Sequence, residues 1–145
     1  MDRTQVVAIL NELLTLEQRS LAPRLLEATV SVSSLSVQAM VHVQRMTAAT
    51  PDHGAALAKL ILDLGGTPAP RRYLIATADL HFQDLHRVLP RLVADQKALV
   101  RNYIVAAQCL SDEPRALALA TRILQQHQQL NWQTCGKHHP HSLCQ

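Results

Sequence analysis

Four long stretches of this chain repeat apolar side chains every three or four residues, the period of an α-helix with one buried face. The first covers about 4–30, with Val6, Leu10, Leu13, Glu17, Leu21 and Ala28 on its stripe. The second covers about 34–64. Its latter half sets His53, Leu57, Leu60, Ile61 and Leu64 on one face and stops at Gly65-Gly66, as helix C-termini do. The third covers about 75–110, with Phe82, Leu85, Leu89, Leu92, Leu99 and Tyr103. The fourth covers about 113–134, with Leu119, Ile123, Leu130 and Trp132; Ser111 suits its N-cap, and Glu113 and Pro114 its first turn. Pro68 and Pro70 keep the link near 65–74 extended. The pattern predicts an all-α four-helix bundle with a longer second-to-third connection that crosses over the bundle.

Apolar residues make up 48% of the 145 and aromatics only 3%, which favours helices packed through Leu, Ala and Val over an aromatic-rich sheet. The length suits one domain, placed at 1–134, with a flexible tail at 135–145. Pro23, Pro51 and Pro90 fall inside the helical stretches and are expected to kink or break them. Thr50-Pro51-Asp52 also reads as a fresh helix start, so the second helix is either continuous or two helices meeting near 49–51.

A net charge of +3 with no Lys/Arg block and few aromatics argues against nucleic-acid binding. The opening MDRTQVVAIL does not read as a secretion signal, and no run approaches the roughly 18 apolar residues of a spanning helix. The expectation is a cytoplasmic protein with no membrane partner. Three cysteines do not make a disulfide framework.

Polar residues interrupt the stripes at similar depth. The first helix offers Glu17, the second Thr50 and His53, the third Asp95 or Gln96, and the fourth Gln126 or His127. One polar residue per helix at one level is how metal sites in bundles are built; it is also how a hydrogen-bonded layer fixes register.

These residues resemble the ferritin-like superfamily, including bacterioferritins and rubrerythrins. LNELLTLEQ at 10–18 is similar to the family's first-helix motif, whose last Glu, here Glu17, binds iron. His53 followed by LILDLGGTP looks like the second helix, where a Glu-x-x-His precedes an apolar run, Gly and Pro. Asp95 precedes Tyr103 much as a family Glu precedes a third-helix Tyr, and ILQQHQQLNW at 123–132 looks like the fourth helix with its second Glu-x-x-His before a Trp. The resemblance spans about 4–134 and implies a di-iron centre of four glutamates and two histidines. Here Thr50 stands where the bridging Glu of the second helix belongs, and Gln126 and Gln129 where the fourth-helix Glu and His belong. Neutral hydroxyls and amides bridge cations poorly, so a complete di-iron centre is not expected. The resemblance then implies a non-catalytic interaction or structural protein, paired as a homodimer through its helix faces, with no cofactor. The alternative is a metal-binding protein or oxidoreductase holding a single Zn or Fe on the reduced set Glu17, His53, Asp95 and His127.

The tail offers Cys135, His138, His139, His141 and Cys144, soft and borderline ligands without zinc-finger spacing. His42, His81 and His86 read as surface or packed histidines, and Cys109 as a small buried hydrophobe. No Gly-rich phosphate loop or G-x-S-x-G nucleophile motif is present.

Overall fold

A computed structural model describes residues 1–27, 37–70 and 83–138, the side chains of 26, 27 and 131–138 excepted. Several sequence expectations lie outside these residues: Ala28, the link beyond Pro70, His81, Phe82 and the tail's His139, His141 and Cys144, together with the side chains of Trp132, Cys135 and His138. The described residues form five helices and no β-strand: α1 (Arg3–Arg19), α2 (Leu21–Glu27), α3 (Val37–Asp63), α4 (Leu85–Cys109) and α5 (Pro114–His138). With α1 and α2 taken as one broken element, the set is compatible with a four-helix bundle. Helix α1 packs on α3, α4 on α5, and α3 on α5.

The helix ends follow local chemistry. Asp2 opens α1 with a capping box: its carboxylate accepts from the Gln5 N–H at 2.8 Å, and the Gln5 side chain accepts from the Asp2 N–H at 3.1 Å. The expected single helix over 4–30 breaks at Ser20. Pro23 has no N–H for the Arg19 carbonyl, and its ring would clash there, so the chain extends at Ser20 and restarts with Pro23 in the first turn of α2. By contrast α3 is one helix through Pro51, and α4 one helix through Pro90. Thr50 therefore caps nothing; its hydroxyl donates to the Met46 carbonyl at 3.1 Å.

Gly65 takes a positive φ of 81° after α3, and the Gly66 N–H reaches the Ile61 carbonyl while the Gly65 N–H reaches Leu62, both at 2.9 Å. This is a Schellman closure. A Cβ on Gly66 would meet Val7 Cγ1 at 2.6 Å, so only glycine lets the link pass this close to α1. Asn11 then pins the link: its amide donates to the Thr67 carbonyl at 3.0 Å and its oxygen accepts from the Ala69 N–H at 2.7 Å.

Three boundaries differ from the sequence reading. Helix α4 starts at Leu85, where Asp84 caps the His86 N–H at 2.8 Å, rather than near 75. Helix α5 starts at Pro114, whose missing N–H costs nothing at a first position, so Ser111 lies in the α4–α5 turn. At the other end α5 runs on to His138, past the expected limit of 134.

The buried faces step alternately by four and three residues. On α4 they are Leu85, Leu89, Leu92, Gln96, Leu99, Tyr103 and Ala106; on α5 they are Ala116, Ala120, Ile123 and His127. This is the seam of nearly parallel packed helices. The apolar seam residues form two clusters with no member in common. One joins Val6, Leu10, Leu13, Leu57, Ile61, Leu99, Tyr103 and Ile123; the other joins Leu21, Leu25, Val43, Met46, Leu85, Val88 and Leu92. Each fully buried Leu or Ile contributes roughly 1.5–3 kcal/mol. Cys109 is exposed, contrary to expectation, because the seam passes through Ala106 and Leu110 instead.

Candidate metal centre

Between the two apolar clusters every long helix turns polar. Going down each seam, Glu17 falls between Leu13 and Leu21, His53 between Met46 and Leu57, Gln96 between Leu92 and Leu99, and His127 between Ile123 and Leu130. All four polar side chains are buried, and Glu17 is only 1% exposed. The alternatives left open on α4 and α5 resolve by register: Gln96 and His127 lie on the four-three seam, whereas Asp95 is half-buried and Gln126 exposed.

Glu17 is the hub. Its Oε1 accepts from the Tyr103 hydroxyl at 2.6 Å and lies 2.7 Å from His127 Nε2 and 3.5 Å from His53 Nδ1. The last distance is an ion-pair contact, too long for a well-formed hydrogen bond. Its other oxygen, Oε2, is buried without a hydrogen-bond partner, as are His127 Nδ1 and Gln96 Oε1. On its far side His53 Nε2 meets Gln126 Oε1 at 2.5 Å, so Nε2 carries the hydrogen and Nδ1 is turned toward Glu17. The two imidazoles pack edge to face, centroids 4.8 Å apart, with Tyr103 tilted against His127 at 5.5 Å.

Burial works to raise the Glu17 pKa, but the bond from His127, the close approach of His53, the charge of His127 and the Tyr103 bond outweigh it and hold the carboxyl at about 2. For His53, burial works to lower the pKa; the contact and charge of Glu17, then the Gln126 bond, prevail and raise it. The Tyr103 hydroxyl is pushed up by burial and by the Glu17 charge, so it stays a donor.

Glu17, His53 and His127 each offer one ligand atom, and these atoms lie within 4.8 Å of one another. One carboxylate oxygen and two imidazole nitrogens suit a divalent transition metal. The three come from three different helices, so the bundle itself sets their spacing. Asp95 lies outside this trio: its Oδ2 accepts from the Leu21 N–H at 2.9 Å, capping the restart at α2 from across the bundle. Burial raises its pKa, against the pull of the Leu21 N–H and Arg24. A cleft of about 390 Å³ lined by Asp52, His53, Arg122 and Gln126 opens onto the His53 side.

In the sequence Tyr103 read as a member of an apolar stripe and as similar to a third-helix Tyr, with no part in the site. The missing signal was direction: helical side chains lean toward the N-terminus, so Tyr103 extends its hydroxyl back toward the Gln96 level. Comparison of the chain with protein-family models, curated proteins and solved structures gives no significant match.

Proposed function

We propose that this protein is a ferritin-like bundle whose polar layer binds one divalent transition-metal ion through Glu17, His53 and His127, in place of a two-metal centre. The observation that carries the reading is the convergence of these three buried ligand groups. Two further features support it. The unpartnered Glu17 Oε2 and His127 Nδ1 are donor atoms that cost stability in a dry layer and would gain a partner from a cation. Gln126 fixes the ring of His53 from outside, as a hydrogen-bonded neighbour does for a ligating histidine. A trio leaves coordination positions open for water or a small substrate.

The helix pairing, with α1 on α3, α4 on α5, and α3 on α5, supports a crossover between α3 and α4. No described helix is long and apolar enough to cross a membrane.

A second reading is favoured by the hydrogen bonds themselves. Tyr103 and His127 already compensate Glu17 Oε1 without a cation, as in a non-catalytic interaction protein whose polar layer fixes register. Equilibrium dialysis of the full chain against Zn(II) and Co(II) separates the two. The metal reading expects about one tightly held equivalent, lost in Glu17→Gln and His53→Ala and retained in His138→Ala/His139→Ala/His141→Ala. Metal lost only in the tail variant, or none bound, leaves the polar-layer reading.

A further inference from the structure

The cleft beside His53 is walled by two helices that run in opposite directions. Arg115 on α5 pairs with Asp63 on α3 at 3.1 Å, and Gln126 meets His53, so residue numbers fall along one wall as they rise along the other. Helix α3 gives the cleft Ala49, Asp52 and His53, and α5 gives it Arg122, Gln126 and Leu130. From end to end its walls therefore carry Arg122, then Asp52 opposite Gln126, then Ala49 opposite Leu130. The polar groups divide by wall. Gln126 commits its Oε1 to His53, so its Nε2 hydrogens are left for another acceptor. Arg122, one turn earlier on the same helix face, adds a guanidinium. Asp52 presents a carboxylate from the facing helix. The side chains of Arg122 and Asp52 are exposed, and neither makes an ion pair or hydrogen bond with the other or with any described residue. At about 390 Å³ the space falls near the lower end of small-molecule sites, which suits one amino acid rather than a nucleotide.

We infer that this cleft binds a small aliphatic α-amino acid as its zwitterion, the carboxylate on Arg122 and Gln126 Nε2, the ammonium on Asp52 and the side chain against Ala49 and Leu130. A guanidinium meets a carboxylate through two parallel N–H donors, and the Gln126 amide adds a third. The sequence of cation, anion and apolar contact along the cleft is the sequence of carboxylate, ammonium and side chain in the ligand. A fatty acid would leave Asp52 unanswered, and an alkylamine would leave Arg122 unanswered. The inference does not depend on the metal reading, because Arg122, Gln126 and Asp52 stand outside the Glu17, His53 and His127 trio.

Calorimetric titration of the full chain, dialysed against EDTA and then into metal-free buffer, tests it with L-leucine, L-leucinamide and isocaproate. Leucinamide keeps the ammonium and side chain, isocaproate the carboxylate and side chain. L-leucine is expected to bind, and each analogue to bind roughly tenfold more weakly. Arg122→Gln should weaken L-leucine by about tenfold, and Asp52→Asn by about threefold or more. Both side chains are exposed, so circular dichroism of the two variants should match the wild-type chain. Equal affinity for the three compounds, unchanged L-leucine affinity in Arg122→Gln, or no binding of L-leucine by the wild-type chain would overturn the assignment. Because no metal is present in the titration, these outcomes are separate from those of the Zn(II) and Co(II) dialysis.

Discussion

Glu17 and Asp95 are two carboxylates inside the same bundle, and they are held in opposite ways. Glu17 is almost wholly buried yet kept ionised, because a tyrosine hydroxyl and two imidazoles face it. Asp95 is less buried, yet its pKa is raised, because one backbone N–H and a nearby Arg24 do not offset its lost hydration. Depth alone does not decide a buried acid's charge; the number of donors that reach it does.

The largest expected effect separates the two by substitution. Glu17→Gln removes the charge that the imidazoles face and should cost ~3–5 kcal/mol, the range for breaking a buried ion pair. Asp95→Asn keeps an acceptor for Leu21 and should change stability by less than ~1 kcal/mol. Urea unfolding of both variants at neutral pH measures the difference; equal losses would erase the contrast.

Acid should expose the same asymmetry. The folded pKa of Glu17 is about 2 against an ordinary 4.5, so its contribution is present above pH 4.5 and lost as pH falls toward 2. That shift corresponds to ~3 kcal/mol. The raised pKa of Asp95 works the other way, favouring the folded state as pH falls below its folded value. His53 is also raised, so its contribution holds below 6.5 and fades as pH climbs through its higher folded value. Stability should therefore climb steeply from pH 2 to 4.5 and decline gently as pH rises from 6.5 to His53's higher folded pKa. Thermal melts from pH 2 to 9 check this, and Glu17→Gln should flatten the acid limb.

An effect between those of Glu17→Gln and Asp95→Asn is expected at Tyr103→Phe, which loses one hydrogen bond of 2.6 Å to a charged group and keeps the ring in the core. A loss of ~1.5–3 kcal/mol is expected, read from the same urea curves. A loss as large as that of Glu17→Gln would mean that Tyr103, and not the histidines, carries the layer.

Much of this layer could be read in the sequence because Glu17, His53 and the α4 leucines stand on strong stripes of Leu and Ile. What stayed ambiguous was local register. Asp95 and Gln96 each lie three or four residues from Leu92 and Leu99, and only the four-three alternation sustained from Leu85 to Ala106 selects Gln96. On α5 the seam is built on Ala116 and Ala120, small residues that hardly register as hydrophobic, so the larger Leu119 took their place in the reading although it is only partly buried. The Asn11 clamp on the link and the Asp95 cap on α2 join residues 56 or more positions apart, which no periodicity reveals.

The division of the interior into two apolar clusters has a consequence for how the molecule opens. No described residue belongs to both clusters, and the groups between them hold together through hydrogen bonds and charge rather than through shared apolar contact. Such a boundary is where one cooperative unit can exchange its amide hydrogens with solvent while its neighbour stays protected. The half built on α2 and the start of α4 can then melt as its own foldon, and the first groups its opening would wet are Glu17 and its two histidines.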